Sequence, residues 1–219
     1  YYDEPYYFAP AVEPYHELIT DWQKDFQQII GNNNAKYFDE NKLLYFINEE
    51  FDLLYPGFGD TYPIFNGALG MTYEKGGIGA GLSIKTEAKD TLTLKERIDH
   101  HYLTGIATIE ATYQNVDKVL EEFKTFFTSP PLNKTNDYKM FVISDANQPT
   151  KIRDLVKLLK LNKIEFGSLS SGKQKSIKNA YDYMTGEKRN IKVSNKDICI
   201  PIDQKMGVLA SVLFEPRTF

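Results

Sequence analysis

The chain has 219 residues with a hydrophobic fraction of 42%, enough for one large domain or two modest ones. Lys and Arg number 26 against 30 Asp and Glu, a balance that argues against a nucleic-acid-binding protein, which usually has a basic surface. No apolar run reaches the roughly 18 residues of a membrane span. Cys199 is the single cysteine, which excludes an internal disulfide framework.

The first predicted helix follows Pro14. Apolar residues recur from there to Ile30 at steps of three and four, as in an amphipathic helix. Gly31 and the three asparagines after it predict the helix end. His16 is expected on this helix, beside Glu17.

A glycine-rich stretch, residues 55–81, contains a predicted short strand from Ala68 to Glu74. Side chains alternate along a strand, so Leu69, Met71 and Tyr73 share one face. Thr72 and Glu74 share the other. A carboxylate at a strand end beside a glycine-rich loop is a candidate site position, and a solvated terminal glutamate is the alternative.

The longest predicted helix begins at Thr93, which forms a capping-box pattern with Glu96, and runs to the proline pair at 130–131. Its large apolar residues form one stripe at steps of four and three, which predicts a packed structural helix: Ile98, Tyr102, Ile106, Ile109, Tyr113, Val116, Leu120, Phe123 and Phe127.

Residues 131–138 are the predicted linker between a first domain, 1–130, and a second, 139–219. In the second domain we expect strands at 139–144, 164–169, 191–193 and 198–202, and helices at 150–161 and 206–214. This order favours a small α/β layer with a partly parallel sheet.

Few residues in the chain can carry chemistry. His100 and His101 are helix neighbours that point about 100° apart, and no HxxE motif accompanies them or His16. The sequence therefore contains no complete zinc site, and Cys199 is expected to be a buried, inert strand thiol. One group of candidate residues remains, Glu74 together with Tyr55, Thr72 and Tyr73.

Two runs of residues lie close together in the glycine-rich stretch, 55–63 and 66–74, and the second ends in Gly-Met-Thr-Tyr-Glu. Together they resemble the C-terminal active-site segment of a bacterial branch of the M14 family of zinc carboxypeptidases. The opening segment, 4–10, resembles the stretch immediately after the third zinc-binding histidine in that branch. Residues 138–219 resemble the glutamine-amidotransferase-like domain that comes after the peptidase domain.

The resemblance implies an α/β fold class with two domains. The first is the C-terminal part of a mixed-sheet domain like that of zinc carboxypeptidases. The second is a small, truncated amidotransferase-like domain of the flavodoxin type. It implies that Glu74 is the general base on a zinc-bound water, that Tyr55 closes over the peptide substrate, and that Thr72 lines the pocket. The zinc ligands are expected upstream, in a longer protein that is periplasmic or secreted. The chain alone is then expected to bind no catalytic zinc and to be inactive.

Two other interpretations stay open. The chain is an inactive peptidase-like binding or structural module, or it is an ordinary α/β protein in which the Gly-Met-Thr-Tyr-Glu run occurs by chance. The second domain is expected to be non-catalytic in every case, because it contains no histidine and a single cysteine.

Overall fold

The computed structural model describes residues 5–77, 81–86, 89–128, 138–144 and 148–218. Helices and small two-stranded sheets alternate along these residues, so the α/β class is confirmed. The chain divides into two units, Tyr1–Phe126 (unit 1) and Phe127–Phe219 (unit 2). Most of the predicted linker, residues 131–137, lies outside the described residues.

Unit 1 is built from long helices and very short strands. The helices are α1 (Asp21–Glu40), α2 (Thr61–Ile64), α3 (Leu94–Gln114) and α4 (Val116–Thr128), the last ending just past the unit boundary. The strands are β1 (Tyr6–Tyr7), β2 (Val12–Tyr15), β3 (Tyr45–Phe46), β4 (Asp52–Leu53), β5 (Ser83–Lys85) and β6 (Thr91–Thr93). β1 pairs with β3 and β2 with β4 in parallel, whereas β5 and β6 are antiparallel.

Unit 2 contains β7 (Met140–Ile143), α5 (Pro149–Leu161), β8 (Lys175–Tyr181), β9 (Lys188–Val193), β10 (Ile198–Pro201) and α6 (Gly207–Phe214). The two predicted helices and the strands at 139–144 and 198–202 are confirmed within two residues. The partly parallel sheet is wrong for the described strands, since β7 pairs with β10 and β8 with β9 in antiparallel fashion. Segment 164–169 forms only an isolated bridge, Gly167 to Cys199, and the sequence pattern does not predict β8.

Helix α1 begins later and ends later than its sequence pattern predicts. Thr20 caps it in a capping box with Gln23, and the segment before it is β2, so His16 precedes the helix. The helix continues through Gly31, where a Cβ would lie 2.3 Å from the Ala9 carbonyl oxygen. Gly31 therefore permits a close chain contact and does not end the helix.

The long helix predicted after Thr93 is two helices. The Thr93–Glu96 capping box is confirmed, but Asn115 interrupts the helix between α3 and α4. The expectation that its apolar stripe packs inward is wrong as well: α3 buries Thr104, Ala107 and Ala111, while most of the large apolar residues are exposed. Small side chains on that face let α3 lie close to α1.

Two clusters of buried side chains belong to the core of unit 1. Tyr6, Phe8 and Phe38 make one, with the Tyr6 and Phe38 ring centroids 5.1 Å apart. Phe26, Ile30 and Ala111 make the other, at the junction of α1 and α3. Aromatic side chains bury large areas, so unit 1 reaches a substantial core despite strands of two to four residues.

The near-neutral total charge is the sum of two oppositely charged units. Acidic residues outnumber basic ones roughly two to one in unit 1, and basic residues outnumber acidic ones nearly two to one in unit 2. The balance of the whole chain therefore describes neither unit. Within the described residues, no helix is both long enough and apolar enough to cross a bilayer.

Candidate functional site

Glu74 is held beside the opening segment by two backbone hydrogen bonds. The Tyr7 N–H donates to the Glu74 carbonyl oxygen at 2.8 Å, and the Glu74 N–H donates to the Tyr7 carbonyl oxygen at 3.0 Å. The predicted strand 68–74 is wrong apart from this antiparallel bridge at Glu74, since residues 68–73 are irregular chain. The bridge places residues 5–10 directly next to the candidate glutamate.

Two buried glutamines of α1 hold the chain that leads to Glu74. Gln23 Nε2 donates to the carbonyl oxygens of Ile64 at 3.0 Å and Ala68 at 2.9 Å. Gln27 Nε2 donates to the Gly70 carbonyl oxygen at 2.9 Å, and its Oε1 accepts from the Ala11 N–H at 3.2 Å. These amides satisfy buried backbone groups in place of a neighbouring strand.

The three residues predicted to share one face all pack against the core of unit 1. Leu69 and Met71 pack against the cluster containing Phe26, and Tyr73 packs against the cluster containing Phe38. The Tyr73 hydroxyl also hydrogen-bonds Thr108 of α3, and burial raises the pKa of Tyr73. The side chain of Thr72 meets the glycine-rich loop instead.

Asp60 joins Thr72 to the glycine-rich loop. The Thr72 hydroxyl donates to Asp60 Oδ2 at 2.6 Å, and the Thr61 hydroxyl donates to Asp60 Oδ1 at 3.2 Å. Gly70 lies so close that a Cβ there would be 1.7 Å from the Asp60 carbonyl oxygen. The end of loop 55–60 is thus fixed against the segment that carries Glu74, and the Thr72 hydroxyl is engaged within the protein.

Tyr55 stands at the other end of this loop. Its side chain is 60% exposed, and its ring centroid lies 5.1 Å from that of Phe58. A Cβ on Gly57 would lie 2.5 Å from the Tyr55 ring, so the loop folds back tightly beneath it. The structure therefore connects Tyr55 to the Glu74 segment through the loop and Asp60.

On the inward side, Tyr6 connects β1 to the start of α3. Its hydroxyl lies 2.6 Å from His101 Nδ1 and 3.1 Å from Thr104 Oγ1. Burial raises the pKa of Tyr6, the charges of Tyr73 and Glu74 raise it further, and the hydrogen bond with Thr104 opposes them. Tyr6 is therefore a neutral phenol at physiological pH.

The three histidines do not form a zinc site around Glu74. His16 is buried edge-on against Phe65, at 4.9 Å between ring centroids, and its Nδ1 accepts from the Leu18 N–H at 3.2 Å. His100 and His101 lie against Tyr6. Glu74 itself belongs to no cluster of three candidate metal ligands among the described residues.

Burial lowers the pKa of both His100 and His101, and the charge of Lys75 adds to this effect. For His100, the carboxylates of Glu96 and Asp99 act in the opposite direction. Both rings are thus biased towards the neutral form, in which a ring nitrogen can accept a hydrogen bond.

Sequence reasoning missed the residues that position the site. Gln23 and Gln27 lie four residues apart, on the face of α1 that also carries Phe26 and Ile30, and a polar pair within an apolar face is a readable signal. Asp60 gives no such signal, because its partner Thr72 lies twelve residues away in irregular chain. Only the folded loop brings the two together.

Comparisons of the chain with protein-family models, with curated proteins and with solved structures gave no match.

Proposed function

We propose that this chain is the C-terminal part of a zinc-dependent metallocarboxypeptidase domain followed by an amidotransferase-like domain, in a periplasmic or secreted protein that removes C-terminal residues from peptides. Glu74 is the general base. The zinc ligands belong to upstream residues of the same protein, since His16, His100 and His101 do not surround Glu74.

The bridge between Tyr7 and Glu74 carries this proposal. The resemblance rests on separate segments: one expected to follow a zinc-binding histidine, and one expected to carry the catalytic base. Such segments must meet if they serve one site. Their two backbone hydrogen bonds, at 2.8 and 3.0 Å, bring them side by side, and the Thr72–Asp60 hydrogen bond adds the loop of Tyr55.

The proposed chemistry is shared between the upstream residues and this chain. The zinc ion supplies a Lewis acid when bound by the upstream residues. Glu74 takes one proton from the attacking water onto a carboxylate oxygen and later gives it to the leaving amine. Tyr55 is proposed to cover a bound peptide from its exposed loop, and the hydrogen bond between Asp60 and Thr72 fixes that loop to the segment before Glu74.

Unit 2 is proposed to be a non-catalytic amidotransferase-like module. Burial raises the pKa of the Cys199 thiol, with the nearby charge of Asp197 adding to the effect, so the protonated thiol dominates at neutral pH and is a poor nucleophile. Residues 139–219 contain no histidine to activate it. Glutaminase turnover by the purified chain would contradict this assignment.

The test uses the parent protein, extended upstream and loaded with zinc. Release of C-terminal amino acids from short peptides is measured with and without a chelator, for the parent, Glu74→Gln and the control Glu49→Gln. Because general-base catalysis contributes about 10²–10⁴-fold, Glu74→Gln should lower kcat by that factor. Glu49 is exposed, so Glu49→Gln should leave kcat unchanged.

Each other outcome has a definite meaning. Chelator-sensitive activity that survives Glu74→Gln would keep the carboxypeptidase and remove Glu74 as its base. A folded, zinc-loaded parent without peptidase activity would instead support the alternative, an inactive peptidase-like binding or structural module.

A further inference from the structure

The outer face of α3 and α4 carries a row of large apolar side chains that the rest of the described structure leaves open. We define this apolar row as Tyr102, Ile106, Ile109, Tyr113, Val116 and Leu120. Their exposed fractions range from 38% at Ile106 to 78% at Tyr113. A contiguous exposed apolar patch of this kind marks an interaction surface.

The spacing of the apolar row is that of a helix–helix seam. Its residues succeed one another at steps of four, three, four, three and four, an average close to the 3.5-residue repeat of a heptad. The interruption at Asn115 is one residue long, and the Val119 N–H still donates to the Asn115 carbonyl oxygen at 3.0 Å. The row therefore continues from α3 into α4.

The opposite face of both helices is already occupied. α3 buries Thr104, Ala107 and Ala111, and Asn33 of α1 donates to the Ala107 carbonyl oxygen at 2.7 Å. Val119 of α4 packs against the cluster of Phe26 and Ile30. The helices cannot turn the apolar row inward without breaking these contacts, so the described residues of unit 1 leave the row open.

We propose that the apolar row is the interface between two copies of this chain, packed antiparallel about a two-fold axis. Steps of three and four keep the row on one side of both helices, and an isologous interface uses the same surface patch on both copies, so two rows related by a two-fold axis can pack against each other. This inference concerns a different face from the one that carries Glu74 and does not depend on the proposed function.

The area available suits a stable dimer. If about 200 Å² is taken for each fully exposed side chain of this size, the exposed fractions of the six residues correspond to about 700 Å² per copy. Two copies would bury about 1,400 Å², within the range of about 1,200–2,000 Å² of specific protein–protein interfaces.

Analytical ultracentrifugation of the 219-residue chain across a concentration series tests the proposal. The wild-type chain should sediment with twice the monomer mass. Ile109→Glu places a charge in the middle of the row and should give a monomer, whereas the control Leu44→Glu, at a residue 68% exposed outside the row, should remain a dimer. Circular dichroism verifies that each variant is folded.

A wild-type chain that stays monomeric throughout the series, up to high micromolar concentration, overturns the proposal, whether or not the variants fold. A dimer that survives both Ile109→Glu and Tyr113→Glu places the interface elsewhere and overturns it as well. If the isolated chain is a monomer and hydrogen exchange shows the row protected only in an upstream-extended parent, the occupant is upstream chain and not a second copy.

Discussion

Helices α1 and α3 lie against each other and begin in the same way, with a threonine capping box, yet they use their faces in opposite ways. α1 buries large side chains, Phe26 and Ile30, together with the amides of Gln23 and Gln27. α3 buries threonine and alanine and exposes isoleucine and tyrosine. The face a helix buries is thus decided by what the neighbouring element can accommodate.

This difference has a packing reason. The large side chains of α1 already fill the space between the helices, where Ala111 meets Phe26 and Ile30. Protein interiors are close-packed, so α3 can approach only with small residues. Its large apolar residues are left exposed on the far side.

The largest expected effect comes from the buried amides of α1. Gln27→Leu keeps the apolar bulk but leaves the Ala11 N–H and the Gly70 carbonyl oxygen without their side-chain partner. Buried unsatisfied groups cost about 1–3 kcal/mol each, so we expect the free energy of unfolding to fall by about 3 kcal/mol. Urea titration with circular dichroism as the probe measures it.

Gln28 provides the matched control for this variant. It is the next residue of α1 and its side chain is exposed. Among the hydrogen bonds of the described residues, its Nε2 donates to Asn32 Oδ1. Gln28→Leu should change stability by about 0.5 kcal/mol or less. Equal losses for Gln27→Leu and Gln28→Leu would show that the buried amides do not hold the segment before Glu74.

A pair of identical substitutions tests the two helices directly. A Cβ at Gly31 of α1 meets the Ala9 carbonyl oxygen at 2.3 Å, whereas a Cβ at Gly105 of α3 meets nothing within 4 Å. Gly31→Ala should therefore destabilise the fold by about 1–3 kcal/mol through overpacking. Gly105→Ala should stabilise it by up to about 1 kcal/mol through helix propensity.

Thermal unfolding of both variants decides this point, with wild type as the reference. The same sign for both substitutions would mean that α1 and α3 do not differ in packing at these positions.

The smallest expected effect is a pH dependence of stability caused by His100, near the start of α3. The pKa of His100 is lowered in the folded protein, so the unfolded chain binds the proton more readily than the native chain does. The pKa of His in the unfolded chain is about 6.5. The folded state therefore keeps its full stability above about pH 6.5 and loses part of it as the pH falls below that value.

Tm measured at about pH 7.5 and about pH 5.5, on either side of the unfolded value, tests this dependence. Wild type should lose more than His100→Asn does over that interval, by roughly 1–2 °C. Lys75 also favours the neutral ring, whereas Glu96 and Asp99 oppose it. Parallel pH profiles for the two proteins would exclude His100 as the titrating group.

Sequence patterns predict the structure correctly where they depend on nearby residues. The Thr93 cap and the strands at β7 and β10 arise from periodicity and hydrogen bonds within a few residues. The predicted end of α1 is wrong because Gly31 is normally a stop signal, and only its contact with Ala9 shows why the helix continues. The pairing of Tyr7 with Glu74 joins residues 67 positions apart and leaves no local trace.

The sequence by itself determined the α/β class, most of the helix positions and the choice of Glu74, Tyr55 and Thr72 as candidates, because these rest on short-range patterns and on a motif. The tertiary structure alone decided that Tyr7 lies beside Glu74, that Asp60 engages Thr72, and that the apolar row faces outward. Those relations depend on which distant surfaces fit together, and the volume between α1 and α3 allowed only small residues to be buried there.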